Sequence, residues 1–142
     1  MLFIIDANEF IFAIGQREDA AKKLLDNLLT KATPHSVRIP RTVFIEVKRN
    51  LSPEAFREFI LLLFSANIII DEDELVPFAF GSKYKSLGLK LSDAFIAAYA
   101  EWVGADIIVS ENRHFLSLKA NLPFKVLTAE SCLKLIKSSL RK

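Results

Sequence analysis

The chain has 142 residues, a length that suits one domain with a buried core of its own. With 51% hydrophobic and 25% charged residues it is globular in composition, which excludes a disordered chain. The net charge of +2 selects no partner class, and Cys132, the one cysteine, excludes an internal disulfide and fits a reducing compartment.

Leu2-Phe3-Ile4-Ile5 is a continuous apolar run, as expected of a strand covered on both faces, and Asp6 follows at once. No basic region precedes it, so the opening does not read as a secretory signal. From Arg17 to Lys31, Ala20, Ala21, Leu24, Leu25, Leu28 and Leu29 share one helical stripe. Ser36-Val37-Arg38-Ile39 is a second strand stopped by Pro40, and Thr42 to Arg49 is a helix that carries Glu46. Ser52 and Pro53 open a helix that runs to about Ala66, with Ser52 as its N-cap and proline in the first turn. Its apolar stretch from Phe59 to Ile70 is broken by Ser65 and Asn67 and falls short of the about 20 residues a bilayer requires. The expectation is a soluble, cytoplasmic protein with no membrane association.

Ile68-Ile69-Ile70 forms the third strand. Glu72 to Leu89 reads as helical, divided by Pro77, Gly81 and Gly88. Ser92 is expected to cap a helix from Asp93 to Val103, which Gly104 ends. Asp106-Ile107-Ile108-Val109 and Phe124-Lys125-Val126-Leu127 are the last two strands, and Ala129 to Ser138 closes the chain as a helix. Strands alternating with helices predict an α/β fold, a single domain over residues 1–142 with a largely parallel sheet and helices on both faces. In such sheets sites form beyond the carboxyl ends of the strands.

The polar residues at that rim are therefore the ones that matter. Asp6-Ala7-Asn8 follows the first strand and Ser110-Glu111-Asn112 the fourth. Asp93 sits in the first turn of its helix, where the dipole favours an anion, and Glu46 lies on an otherwise apolar segment. Each has an ordinary alternative: Asp6 as a turn cap, Asp93 as a first-turn acid, Glu46 paired on the surface with Arg49, and Asn112 as a turn residue. Together they point to one rim. Carboxylates gathered there repel and raise one another's pKa, and a divalent cation relieves that. Oxygen donors suit Mg²⁺ or Mn²⁺, whereas zinc lacks its usual ligands, since only His35 and His114 are present. Cys132 reads as a helix residue in the core. With three acids held in a site, nineteen Lys and Arg face fourteen remaining acids, a balance that permits a phosphate backbone as ligand. Arg38, Arg41, Lys48, Arg49, Lys83, Lys85 and Lys90 are the cations available, and His114 reads as a surface residue.

The phrases Ile4-Ile5-Asp6-Ala7-Asn8, Pro40 to Val47, Leu91 to Ala100 and Val109 to Phe115, in that order, resemble the PIN-domain family, over most of the chain from Leu2 to about Leu127. The resemblance implies a five-stranded parallel sheet of order 3-2-1-4-5 and cleavage of RNA phosphodiesters with Mg²⁺ or Mn²⁺. By position it makes Asp6, Glu46 and Asp93 the metal-binding and catalytic acids. Asp6 and Asp93 would bind directly, and Glu46 through water. Asn112 stands where many members have a fourth acid and is taken as catalytic, which puts a second metal in doubt. Asn8, Ser110 and Glu111 are supporting residues.

The size and plain layout resemble toxins of the VapC type, which implies an antitoxin partner and a homodimer, with apolar surface around Phe10 to Ile14 and Pro53 to Phe64 as docking ground. A catalytically inactive PIN domain that binds RNA or protein is the alternative. A phosphatase with Asp6 as nucleophile lacks a second aspartate two residues on, where Asn8 stands.

Overall fold

Four successive apolar residues after Met1 cannot alternate between core and solvent. In the computed structural model, which describes residues 1–15, 19–30, 33–118 and 121–140, they form the central strand of the sheet. This strand, β1 (Leu2–Ile5), has Phe3, Ile4 and Ile5 wholly buried. Around it run β2 (Ser36–Pro40), β3 (Ile68–Asp71), β4 (Ile107–Val109) and β5 (Lys125–Leu127). All pairings are parallel and the order is β3-β2-β1-β4-β5. The all-parallel sheet and its 3-2-1-4-5 order are those expected. The three residues of β4 are also fully shielded, as both-face coverage requires, while the edge strands β3 and β5 remain partly open.

The helices are α1 (Ala7–Phe10), α2 (Asp19–Leu28), α3 (Arg41–Asn50), α4 (Pro53–Ser65), α5 (Phe78–Ser86), α6 (Leu91–Val103), α7 (Arg113–Leu116) and α8 (Ala129–Leu140). The predicted helix from Arg17 to Lys31 is observed as α2. Arg17 and Lys31 themselves lie outside the described residues. Ser52 caps α4 as expected, accepting from Ala55 N–H at 3.1 Å with Pro53 in the first turn. Gly104, at φ 73°, closes α6 in the left-handed conformation that glycine adopts without strain.

Several expectations are corrected. The helical stretch from Glu72 to Leu89 is divided at Pro77 as expected, a 3-10 turn over Asp73–Leu75 preceding it and α5 following, but Gly81 lies inside α5 and does not interrupt it. The N-cap of α6 is Lys90, with no side-chain cap, so Ser92 lies inside the first turn. The left-handed turn at Gly88 (φ 96°) reverses the chain early enough for the helix to begin at Leu91. Asp93 stays in the first turn despite the shift.

The segment from Phe10 to Ile14 offers no docking ground either. A π-helical turn over Ile11–Gly15 follows α1, and Phe10, Ile11, Ala13 and Ile14 are buried. Phe10 meets Phe59 edge-on at 5.1 Å, and Phe59 packs with Phe44 and Phe56. This aromatic cluster anchors α3 and α4 against α1; full burial of Phe10 and Phe59 stabilises by about 1.5–3 kcal/mol each. The outer face of α4 does leave Leu61 and Phe64 exposed.

Candidate active site

Register explains why two loops meet. Ile5 lies opposite Val109 across β1 and β4, so the next residues, Asp6 and Ser110, emerge side by side. The backbone carries the pairing one step further, with Asp6 N–H donating to Val109 O at 3.0 Å and Ser110 N–H to Leu127 O at 2.9 Å. The fully buried Ser110 hydroxyl then donates to Asp6 Oδ2 at 2.9 Å, while Ala7 N–H donates to Oδ1 at 2.8 Å. Asp6 is thus both the N-cap of α1 and a carboxylate at the sheet rim.

The other acids reach the same place from helices. The α3 helix starts directly after β2, buries Val43 and Val47, and turns Glu46 toward the cleft. The α6 helix buries Ala94, Ala97 and Ala98 and presents Asp93 from its first turn. Asp6, Asn8, Glu46, Asp93 and Asn112 all line one cleft of about 920 Å³, a size that admits a nucleotide-scale fragment.

Electrostatics follow from this crowding. Burial pushes the Asp6 carboxyl above the ordinary carboxylate range and the charge of Asp93 adds to the rise, opposed by the bonds from Ser110 and Ala7. Glu46 is raised as well, first by desolvation and then by Asp6 and Asp93, with Arg49 pulling the other way. Both acids are thus raised first by burial and then by neighbouring acids, a crowding that a cation would relieve.

The donor set fits a hard cation. The acids at the cleft offer carboxylate oxygens, and His35 lies elsewhere, against Phe3 and the amino terminus. Among the described residues, however, no three His, Cys, Asp or Glu side chains stand close enough together to hold a metal ion directly. Asp6 is held by Ser110 and Asp93 by Asn112. Mg²⁺ retains several waters and takes only one or two carboxylates directly, so such a spread of acids fits a hydrated ion rather than a dry cage.

The supporting residues divide. Asn8 lines the cleft and Ser110 holds Asp6 from below. Asn112 donates through Nδ2 to Asp93 Oδ2 at 3.0 Å. Glu111 is not at the cleft: its Oε2 accepts from Ala129 N–H at 3.0 Å and so satisfies the first turn of α8. A one-residue step beyond a strand end reverses direction, so adjacent Glu111 and Asn112 serve different elements.

Sequence reasoning missed Asp73, which lines the cleft while its Oδ1 accepts from Thr42 N–H at 3.1 Å and supports the start of α3. Its position two residues past β3, at the same rim, was the available signal. Also missed was the Asp71 cluster. Arg38 grips Asp71 through Nε at 2.9 Å and Nη2 at 2.8 Å, and the buried Tyr99 hydroxyl donates to the same carboxylate, tying α6 to β2 and β3. Of the cations expected to meet phosphates, Arg38 is occupied by Asp71, Arg41 pairs with Glu72 and Lys83 with Glu101, while Arg49 and Lys90 line the cleft.

An all-parallel sheet with acids from the end of β1, the middle of α3 and the first turn of α6 lining one cleft at its carboxyl rim defines the class: an α/β domain with an acidic cleft. More narrowly, the chain belongs to the PIN-domain family, whose model matches residues 3–121. Among solved structures it is similar to VapBC2 from Rickettsia felis bound to a DNA fragment from their promoter, at 19% identity and TM-score 0.63, covering 90% of this chain and 98% of that one. VapBC-1 from nontypeable Haemophilus influenzae aligns at 15% identity and TM-score 0.62, covering 91% and 98%. Mycobacterium tuberculosis VapC20, a sarcin-ricin loop cleaving toxin, aligns at 17% identity and TM-score 0.54, covering 80% and 92%. These likenesses show a shared fold. No curated protein sequence matches the chain.

Proposed function

We propose that this protein is a divalent-metal-dependent endoribonuclease and the toxin of a type II toxin-antitoxin pair. One observation carries the reading: Asp6, Glu46 and Asp93, from distant parts of the chain, line a single cleft at the carboxyl rim. Membership of the PIN-domain family and the fold shared with VapC20 support it.

In this reading Asp6 and Asp93 bind Mg²⁺ or Mn²⁺ and Glu46 orients its water shell. When bound, the ion supplies the positive charge that an in-line attack on a phosphodiester requires. The protein's own part is positioning. Ser110 and Ala7 N–H fix Asp6, Asn112 restrains Asp93, and Arg49 and Lys90 give the cleft wall positive charge for the flanking phosphates.

An antitoxin protein and a second copy of the chain are the partners of this reading, supported by the shared fold with VapBC complexes. Exposed Leu61, Phe64, Phe78 and Leu91 are apolar surface for such contacts. Among the described residues no helix is long and apolar enough to cross a membrane.

The competing reading is a PIN domain that binds RNA or protein without cutting, favoured by the amide at Asn112. Incubation of a mixed RNA pool with Mn²⁺, and separately with chelator, followed by sequencing of new ends, decides between them. Discrete new ends that need Mn²⁺ and vanish in Asp93→Asn support the nuclease; an uncut pool supports the binding module.

A further inference from the structure

Resting on the reading of this cleft as a metal site, we propose that Asn112 is a positioning residue that aims Asp93, and that it limits the site to one cation. An asparagine side chain has one atom able to ligate a hard cation, its carbonyl oxygen. Here Oδ1 of Asn112 accepts from His114 N–H at 3.0 Å as the cap of α7, so it is turned toward that helix's backbone. The amide nitrogen faces the cleft instead and donates to Asp93 Oδ2 at 3.0 Å.

The same residue is held from behind. Its backbone N–H donates to Ser110 Oγ at 3.1 Å, and that hydroxyl donates on to Asp6 Oδ2 at 2.9 Å. Ser110 in turn is pinned to β5 through Leu127 O at 2.9 Å. A continuous chain of bonds therefore runs from Asp6 through Ser110 and Asn112 to Asp93. It engages one oxygen of each acid and leaves Oδ1 of Asp93 outside the chain. Asp73 also lines the cleft but is tied to Thr42 N–H at the start of α3; an acid at position 112, beside Asp93, would add negative charge and invite a second ion, whereas the amide adds no charge and offers a donor where a ligand would be required. The loop after β4 thus sets the geometry of the acids without joining them.

The test is calorimetric titration of the metal-free full chain with MnCl₂, comparing the natural protein with Asn112→Ser and Asn112→Asp. Both replacements keep an oxygen acceptor suited to capping α7. Serine is too short to reach Asp93, and aspartate exchanges the donor for a charged acceptor. The natural protein is expected to bind one Mn²⁺. Asn112→Ser should bind one with affinity lowered about 10–100-fold, the usual effect of removing a partner that orients a ligand. Asn112→Asp should bind two.

Two ions in the natural protein, unchanged affinity in Asn112→Ser, or a single ion in Asn112→Asp would each overturn the inference while leaving the nuclease reading in place. No Mn²⁺ bound at millimolar concentration by any of the three would overturn both. Melting curves recorded without metal confirm that each variant is folded before titration.

Discussion

Replacement of Tyr99 by Phe isolates the contribution of one hydroxyl to the seating of α6, and with it to the aim of Asp93. Tyr99 is wholly buried and its hydroxyl donates to Asp71, which Arg38 holds with two further bonds. The substitution removes the bond without opening a cavity. A hydrogen bond to a charged group contributes about 1.5–3 kcal/mol; because Arg38 still satisfies Asp71, the lower end applies, about 1.5–2 kcal/mol. At this chain length that corresponds to a melting temperature lower by about 5–7 °C.

The effect depends on pH with a definite sign. The Arg38 hydrogen bond, with that of Tyr99, holds the Asp71 carboxyl below its ordinary value of 3.8. A depressed carboxylate stabilises the fold above its unfolded pKa and loses that stabilisation as the pH falls through the folded value. The gap between the natural protein and Tyr99→Phe should therefore be full at neutral pH and narrow once the pH drops below 3.8. Circular-dichroism melts across that range measure it. Equal melting temperatures at neutral pH, or a gap that persists undiminished in acid, would refute the reasoning.

Asp6→Asn should melt higher than the natural protein in metal-free buffer at pH 7. The raised pKa of Asp6 means that stability falls as pH climbs from the unfolded value of 3.8 through the folded one, and a neutral amide escapes that loss. Millimolar Mn²⁺ should raise the melting temperature of the natural protein and leave that of the variant unmoved; a lower metal-free melting temperature in the variant would contradict this. Glu111→Ala should cost about 0.5–2 kcal/mol by removing the acceptor at the start of α8, measured by urea unfolding, with no change in RNA cleavage. Cys132 is buried and its thiol is pushed up to about 12 by burial, with Glu9 adding to the rise. Iodoacetamide at pH 7.5 should therefore label it only after unfolding, and rapid labelling of the native protein would contradict the burial.

The sheet was legible because its signals are unambiguous. Ile4-Ile5-Asp6 and Ile108-Val109-Ser110 pass from unbroken apolar residues to polar ones within a step, which marks a buried strand and its rim together. Register did the rest, since pairing of Ile5 with Val109 sets Asp6 beside Ser110. Where sequence reasoning went astray, competing local signals were of similar strength. Ser92 is a good cap in isolation, but the glycine turn at Gly88 starts the helix sooner. The run Phe10 to Ile14 carries no polar residue to show which side faces out, and the core took nearly all of it.

Site details depended on pairings no spacing reveals. Glu111 and Asn112 are neighbours in the chain, yet one secures α8 and the other Asp93. Asp71 and Tyr99 lie 28 residues apart, and only the fold brings the Tyr99 hydroxyl of α6 to the carboxylate at the end of β3. Among the cations, ion pairs formed on folding decide which remain at the cleft, and those partners sit on other elements.

The account rests on one cation serving three acids, and anomalous diffraction from crystals soaked in MnCl₂ locates that ion directly. It predicts a single manganese peak in the cleft, in contact with Asp6 and Asp93 and joined to Glu46 through a water. A peak bound by other residues, or no peak in the cleft at saturating Mn²⁺, would contradict it.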